Sequence, residues 1–220
     1  MSDNTSRMLA GKLYYSFDPV MVEARRRAAL LMREYNDLIP GDRAGQLRVM
    51  RDLFGAGVAH LADEDMPWIE APFRCDYGTN IRFGKGVYMN FNTCILDCAL
   101  VTIGDKVLFG PNCSIYSAEH PLSPTARNGT KGPEFARPVS IGHNVWLGGN
   151  VVVTSGGSVG DGSMIGAGAV VTRAIPPMSV AVGSPARVVK TLTEVDDVDA
   201  HIKAAMQDNS AVDPRFVGLL

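Results

Sequence analysis

From residue 141 the sequence divides into blocks of six: IGHNVW, LGGNVV, VTSGGS, VGDGSM, IGAGAV and VTRAIP. Every block opens on an aliphatic residue, in turn Ile141, Leu147, Val153, Val159, Ile165 and Val171. Ile, Leu and Val make up 49 of the 220 residues, so six hits in one chosen register have a chance probability on the order of 10⁻⁴, rising to about 10⁻² when every starting point is allowed. The second position is small (Gly142, Gly148, Thr154, Gly160, Gly166, Thr172), and the fifth is mostly small or β-branched (Val145, Val151, Gly157, Ser163, Ala169). The same grammar recurs as IGDKVL and FGPNCS at 103–114 and, more weakly, as IRFGKG and VYMNFN at 81–92.

A period of six fits neither a helix nor a simple strand. It fits a coil of three short flat strands, about 18 residues per turn, in which the first residue of each block points inward and stacks on its equivalent one turn away. The small residue beside it is expected to let the chain round the corner, since Gly accepts backbone angles that other residues avoid. This predicts a parallel β-helix over residues 67–190. A Gly-rich sandwich or barrel would instead place turn signals every 8–12 residues and alternate apolar with polar.

Ahead of the repeat, residues 1–66 read as a helical arm. Asp18 can cap and Pro19 can open a helix over 19–38, with Met21, Ala24, Ala28, Leu31, Tyr35 and Leu38 at helical spacing, and Pro40-Gly41 stops it. A second helix is expected at about 44–60, carrying Leu47, Met50, Phe54 and Val58 on one side, with Leu61 just beyond. The repeat breaks once, at 117–138, where a loop rich in Pro, Gly and charge intervenes, and loops on rigid scaffolds tend to carry function. Residues 191–220 read as a polar, helix-compatible tail.

With 21 Lys+Arg against 23 Asp+Glu, a net charge of −2, the chain has no basic field for nucleic acid or an anionic membrane, so any phosphate must meet a local cluster. No window approaches the ~20 apolar residues of a membrane span. The polar start lacks a secretory pattern, and Cys75, Cys94, Cys98 and Cys113 are too sparse and wrongly spaced for zinc or redox motifs. A soluble, cytoplasmic protein with reduced, mostly buried thiols is expected.

Several stretches carry a resemblance: Met8-Leu-Ala-Gly-Lys-Leu-Tyr14, Tyr77-Gly-Thr-Asn-Ile81, Tyr88-Met-Asn-Phe-Asn92, Ala118-Glu-His-Pro121, Ile141-Gly-His-Asn-Val-Trp-Leu-Gly148, Ile165-Gly-Ala-Gly168, Val171-Thr-Arg173, Ile175-Pro-Pro177 and Gly183-Ser-Pro-Ala-Arg187. Together, from residue 8 to about 190, they resemble the maltose and galactoside O-acetyltransferases, a branch of the hexapeptide-repeat acyltransferases. The resemblance implies an all-β, left-handed parallel β-helix with a helical N-terminal cap, a homotrimer with each active site between neighbouring β-helices, and acetyl-CoA as cosubstrate. It implies that His120 is the catalytic base, a role that suits a side chain whose unperturbed pKa is about 6.5. Transfer would be direct, with no acyl-enzyme.

On the acceptor side the resemblance points to Asn90 and Tyr88, to Asp97, which precedes Cys98 where the galactoside type has two acidic residues, and to Ser16, where that type has a carboxylate, with Asp18 two residues on. For coenzyme A it points to Gly149, Ala167, Thr172, Arg173, Arg187 and Lys190, with Trp146 near the pantetheine arm. The three cations would meet the phosphates. A backbone N–H at Gly149 would stabilise the oxyanion where the galactoside type has a serine.

Blander readings stand beside these. His120 is the only histidine of the inserted loop, and a histidine in a polar loop is commonly a bystander; its position at the break and its His-Pro setting argue otherwise. His143 reads as a surface or interface residue, and His60, His143 and His201 are too scattered for a zinc hydratase, so metal ligation is set aside. Asn92 reads as a rung of an asparagine ladder, the cations as solvated charges and Trp146 as packing. The alternatives to a sugar O-acetyltransferase are an N-acyltransferase on an amino sugar or nucleotide sugar, and a noncatalytic hexapeptide scaffold.

Overall fold

The computed structural model describes residues 2–193. His201 and the expected tail beyond Thr193 lie outside the described residues. From Trp68 onward the chain winds as a parallel β-solenoid with three faces. The first face holds Ile81–Phe83, Val101–Ile103, Val139–Ile141, Ser158–Val159 and Ala174–Ile175. The second holds Trp68–Ile69, Tyr88–Met89, Leu108–Phe109, Trp146–Leu147, Met164–Ile165 and Ser179–Val182. The third holds Phe73–Cys75, Thr93–Leu96, Ser114–Tyr116, Val152–Val153 and Val170–Val171.

Where the hexads are regular, paired residues lie 18 apart, as in Ile141 with Val159 and Leu147 with Ile165. Their side chains stack in the interior: Ile141, Leu147, Val153, Val159, Ile165 and Val171 are all buried, as are Val145 and Val151 at the fifth position. Upstream, the weak blocks at Ile81 and Val87 were framed two residues early. Phe83 and Met89 are the residues that stack on Ile103 and Phe109, while Ile81 pairs with Val101. The signal was weak there because an aromatic and a thioether fill the positions that aliphatics fill later.

The corners also assign the small residues differently from the sequence reading. The left-handed backbone conformation falls at the fourth position of the blocks from 103 to 114 and from 141 to 170, at Lys106, Asn112, Asn144, Asn150, Gly156, Gly162 and Gly168. Asn and Gly tolerate that region best. The second-position glycine serves close approach instead: a Cβ on Gly148 would lie 2.7 Å from the Ala167 backbone nitrogen, and one on Gly104 would lie 2.7 Å from the Gly142 carbonyl carbon.

Three helices precede the solenoid: α1 (Asp3–Leu9), α2 (Pro19–Asn36) and α3 (Arg43–Phe54). α1, which the polar start did not suggest, is capped by Ser2, whose hydroxyl accepts the Thr5 N–H at 3.2 Å. Asp18 caps α2 as expected. α3 stops at Phe54, earlier than expected, because Gly55 takes a positive φ and opens a 3₁₀ turn. Phe54 packs edge-on against Phe73 and Phe83, at 5.9 and 4.9 Å between ring centroids, so α3 plugs the open end of the coil. The side chain of Asn36 completes the exposed strand edge, donating to the Phe73 carbonyl and accepting its N–H. At the far end Arg187–Thr191 runs antiparallel to Ser179–Val182 and covers the second face's last strand.

All departures from the 18-residue turn fall at one corner. Upstream coils pair residues 20 apart, Phe83 with Ile103 and Ile95 with Ile115, and the two additional residues follow the third face, in Asp76–Asn80 and Asp97–Leu100. The inserted loop leaves from the same corner one coil later and spreads the pairing to 38, as in Ile103 with Ile141. It is a hairpin rather than an open loop. Ala118–Glu119 pairs antiparallel with Phe135–Ala136, and its outer part holds a short helix, Pro124–Arg127.

Candidate active site

The wide corner and the N-terminal arm enclose a cleft of about 320 Å³ lined by Ser16, Phe17, Arg25, Asp76, Tyr77, Leu96, Cys98, Ala118, His120 and Glu134. Its walls are held by a small core of their own, in which Met8, Tyr14, Met21, Tyr77, Cys98, Ala99 and Ala136 bury one another. His120 stands at the end of the hairpin strand Ala118–Glu119, exposed at the rim.

The arm clasps the hairpin through Glu134. Tyr14 and Glu134 exchange backbone N–H···O bonds, both at 2.9 Å. The Tyr14 hydroxyl donates to one Glu134 carboxylate oxygen at 3.1 Å and the Ser16 hydroxyl to the other at 2.6 Å. Arg25 of α2 donates to the Tyr77 hydroxyl at 2.7 Å and to the Ser16 carbonyl at 2.6 Å. On the opposite wall the Cys98 thiol donates to Asp76 at 3.3 Å. Burial pushes the Asp76 carboxyl above the ordinary carboxylate range and raises the Cys98 and Tyr14 groups well above theirs.

The sequence-derived candidates separate into groups. Ser16 joins His120 in the cleft, although its hydroxyl is committed to Glu134. Asp97 does not face the cleft. It is fully buried, and its carboxylate accepts the N–H groups of Asp76, Tyr77 and Asn80 at 3.1, 2.8 and 3.2 Å, so it shapes the cleft floor from beneath. Burial raises its carboxyl against the pull of those donors. Asn90, Gly149 and Ala167 line the corner between the second and third faces, at the edge of the third face opposite to the one from which the His120 hairpin leaves. Trp146 projects from the second face, 50% exposed, between Leu108 and Met164. Arg187 and Lys190 lie on that face's antiparallel end strand.

Thr172 and Arg173 are exposed on the His120 edge, two coils further on. Tyr88 sits in the middle of the second face beside Trp68 and Leu108, outside the cleft. Asn92 forms the expected ladder, donating to Asn112 at 3.0 Å. His143 accepts the Asp105 N–H at 3.0 Å in a groove of the first face and belongs to the scaffold. Sequence reasoning missed Arg25, Asp76 and Glu134 as cleft residues. The available signals were that Asp76 sits in one of the two over-long coils and that Glu134 closes the inserted hairpin.

Comparison with known proteins follows the same lines. A family described as the maltose acetyltransferase hexapeptide capping motif matches residues 7–57, and the hexapeptide repeat of succinyl-transferase matches residues 138–173. Galactoside O-acetyltransferase of Escherichia coli is 39% identical over 197 residues, which span 90% of this chain and 92% of that protein. The crystal structure of a maltose O-acetyltransferase from Clostridium difficile superposes with a TM-score of 0.81 at 39% identity, covering 88% of this chain and 99% of that one. A galactoside acetyltransferase in complex with coenzyme A superposes with a TM-score of 0.81 at 35% identity, covering 91% and 96%. The three-faced coil, the cap and these likenesses define a hexapeptide-repeat acetyltransferase. The chain belongs to the maltose and galactoside O-acetyltransferase family.

Proposed function

We propose that this protein is a cytoplasmic homotrimer that moves acetyl from acetyl-CoA to a hydroxyl of a mono- or disaccharide of the maltose, glucose or galactoside type. The observation that carries the reading is the division of the candidate residues. His120 stands on one edge of the third face, whereas Asn90, Gly149 and Ala167 stand on the other, so a second copy has to bring the two sets together. Coenzyme-A-bound relatives support the donor, and the four unpaired thiols suit a reducing compartment.

In this reading His120 takes the proton of the acceptor hydroxyl as its oxygen attacks the thioester carbonyl. The oxyanion that forms meets the Gly149 N–H, and the C–S bond then breaks, the leaving thiolate taking the proton back from the His120 imidazolium as coenzyme A departs. Asn90 orients the sugar. Arg173, Arg187 and Lys190 meet the phosphates, and Trp146 flanks the pantetheine arm. No helix among the described residues is long and apolar enough to cross a membrane.

His120→Ala is expected to lower turnover by about 10²–10⁴ with little change in coenzyme A affinity, measured by thiol release and by titration of coenzyme A. Normal turnover in that variant contradicts the mechanism.

A further inference from the structure

A base that takes a proton becomes an imidazolium, and a preorganised anion beside it stabilises that charge at the moment it forms. Three carboxylates lie close to His120, and the structure separates them. Glu119, its neighbour in the chain, is already paired with the Arg137 guanidinium. Asp76 accepts the Cys98 thiol on the far wall and is disfavoured as an anion by burial. Glu134 differs from both. The hairpin pairs Phe135 with Glu119 and Ala136 with Ala118, so the next register position sets Glu134 across from His120. Directly opposed residues have Cβ atoms about 5 Å apart, and both side chains line the same cleft.

Two neutral hydroxyls hold this carboxylate. Tyr14 donates to one oxygen and Ser16 to the other, which fixes its orientation without cancelling its charge. Each carboxylate oxygen carries two lone pairs, so both retain capacity for an imidazole N–H. The cation of the cleft, Arg25, donates to the Tyr77 hydroxyl and the Ser16 carbonyl rather than to Glu134.

We propose that Glu134, clamped by the Tyr14 and Ser16 hydroxyls, is the positioning partner of His120, orienting its ring and stabilising the imidazolium as the acceptor hydroxyl is deprotonated. The proposal rests on His120 being the base. It gives the N-terminal arm a part in the chemistry, because the arm supplies both hydroxyls. The charged or titratable groups facing His120 in the cleft are Glu134, Asp76, Cys98, Arg25 and Tyr77, with Glu119 and Arg137 flanking, and Glu134 is the carboxylate that the two arm hydroxyls orient beside it.

The test is Glu134→Gln in the full chain, assayed by thiol release from acetyl-CoA with maltose or glucose, whichever turns over faster. Glutamine keeps the size and an acceptor oxygen while removing the charge. The expected result is a kcat lowered about 10–100-fold with both KM values within about twofold. The acid limb of the kcat profile should move to lower pH, since loss of a neighbouring anion makes the imidazolium harder to form. In the His120→Ala background the same change should cost nothing further. Wild-type kcat and pH profile in Glu134→Gln overturn the pairing, as does a loss confined to sugar KM or one that tracks a lowered melting temperature with the profile unmoved. Activity retained in His120→Ala would overturn the base assignment itself, so the two failures are distinct.

Discussion

Second-position glycines and fourth-position asparagines look interchangeable in the sequence, yet they answer different constraints. Gly148 is needed because a Cβ would strike the backbone of the coil beneath, whereas Asn150 is there because its φ is +61°. Gly148→Ala should cost about 1–3 kcal/mol through forced separation of the coils, while Asn150→Gly should change stability by less than about 1 kcal/mol, since glycine adopts that conformation freely. Denaturant titration of the two variants checks this, and the reverse order would refute the assignment. A second test concerns Asp76, whose folded carboxyl is raised by burial. A carboxyl raised on folding contributes stability below its unfolded pKa of about 3.9 and loses it as pH rises through the folded value. Asp76→Asn should therefore melt higher than the parent at pH 7, with the gain vanishing towards pH 3. An equal effect at both pH values would show that the charge is not the cause.

At the scale of the coil, the regular hexads after 141 were legible because the inward position is always aliphatic and the turn is 18 residues long. The two earlier coils were legible only as an echo. Phe83 and Met89 replace aliphatics, and two additional residues at the third corner spoil the period. Those additional residues make the cleft: Asp76, Tyr77 and Cys98 come from them, and the inserted hairpin with His120 leaves from the same corner one turn later. The candidate cleft thus sits where the repeat fails, and the interruption points to His120 as one of its lining residues. Glu134 and Arg25 were not legible as cleft residues, because they come from the hairpin's return and from α2, and only the fold brings those together. Asp97 was legible as a residue but not in its role, since a buried carboxylate that accepts three backbone N–H groups reads in sequence like one that faces a ligand. Tyr14→Phe removes one of the two hydroxyls on Glu134, and should lower kcat by about 3–10-fold while leaving the KM for acetyl-CoA unchanged. A rise in that KM with constant kcat would place the arm in donor binding instead.

For the whole molecule, the decisive feature of the proposed reading is that its candidate residues stand on opposite edges of the third face. The His120 cleft is on one edge and the Asn90, Gly149 and Ala167 corner on the other. Closed cyclic assembly sets one edge of each copy against the other edge of the next. The most direct test is complementation between His120→Ala and Asn90→Ala, each inactive alone, unfolded together and refolded as mixed trimers at equal ratio. Sites shared between subunits predict recovery of about one quarter of wild-type activity, the chance that an interface draws an intact half from each variant. Sites contained within single chains leave every site defective, so a mixture with no recovered activity would contradict the account.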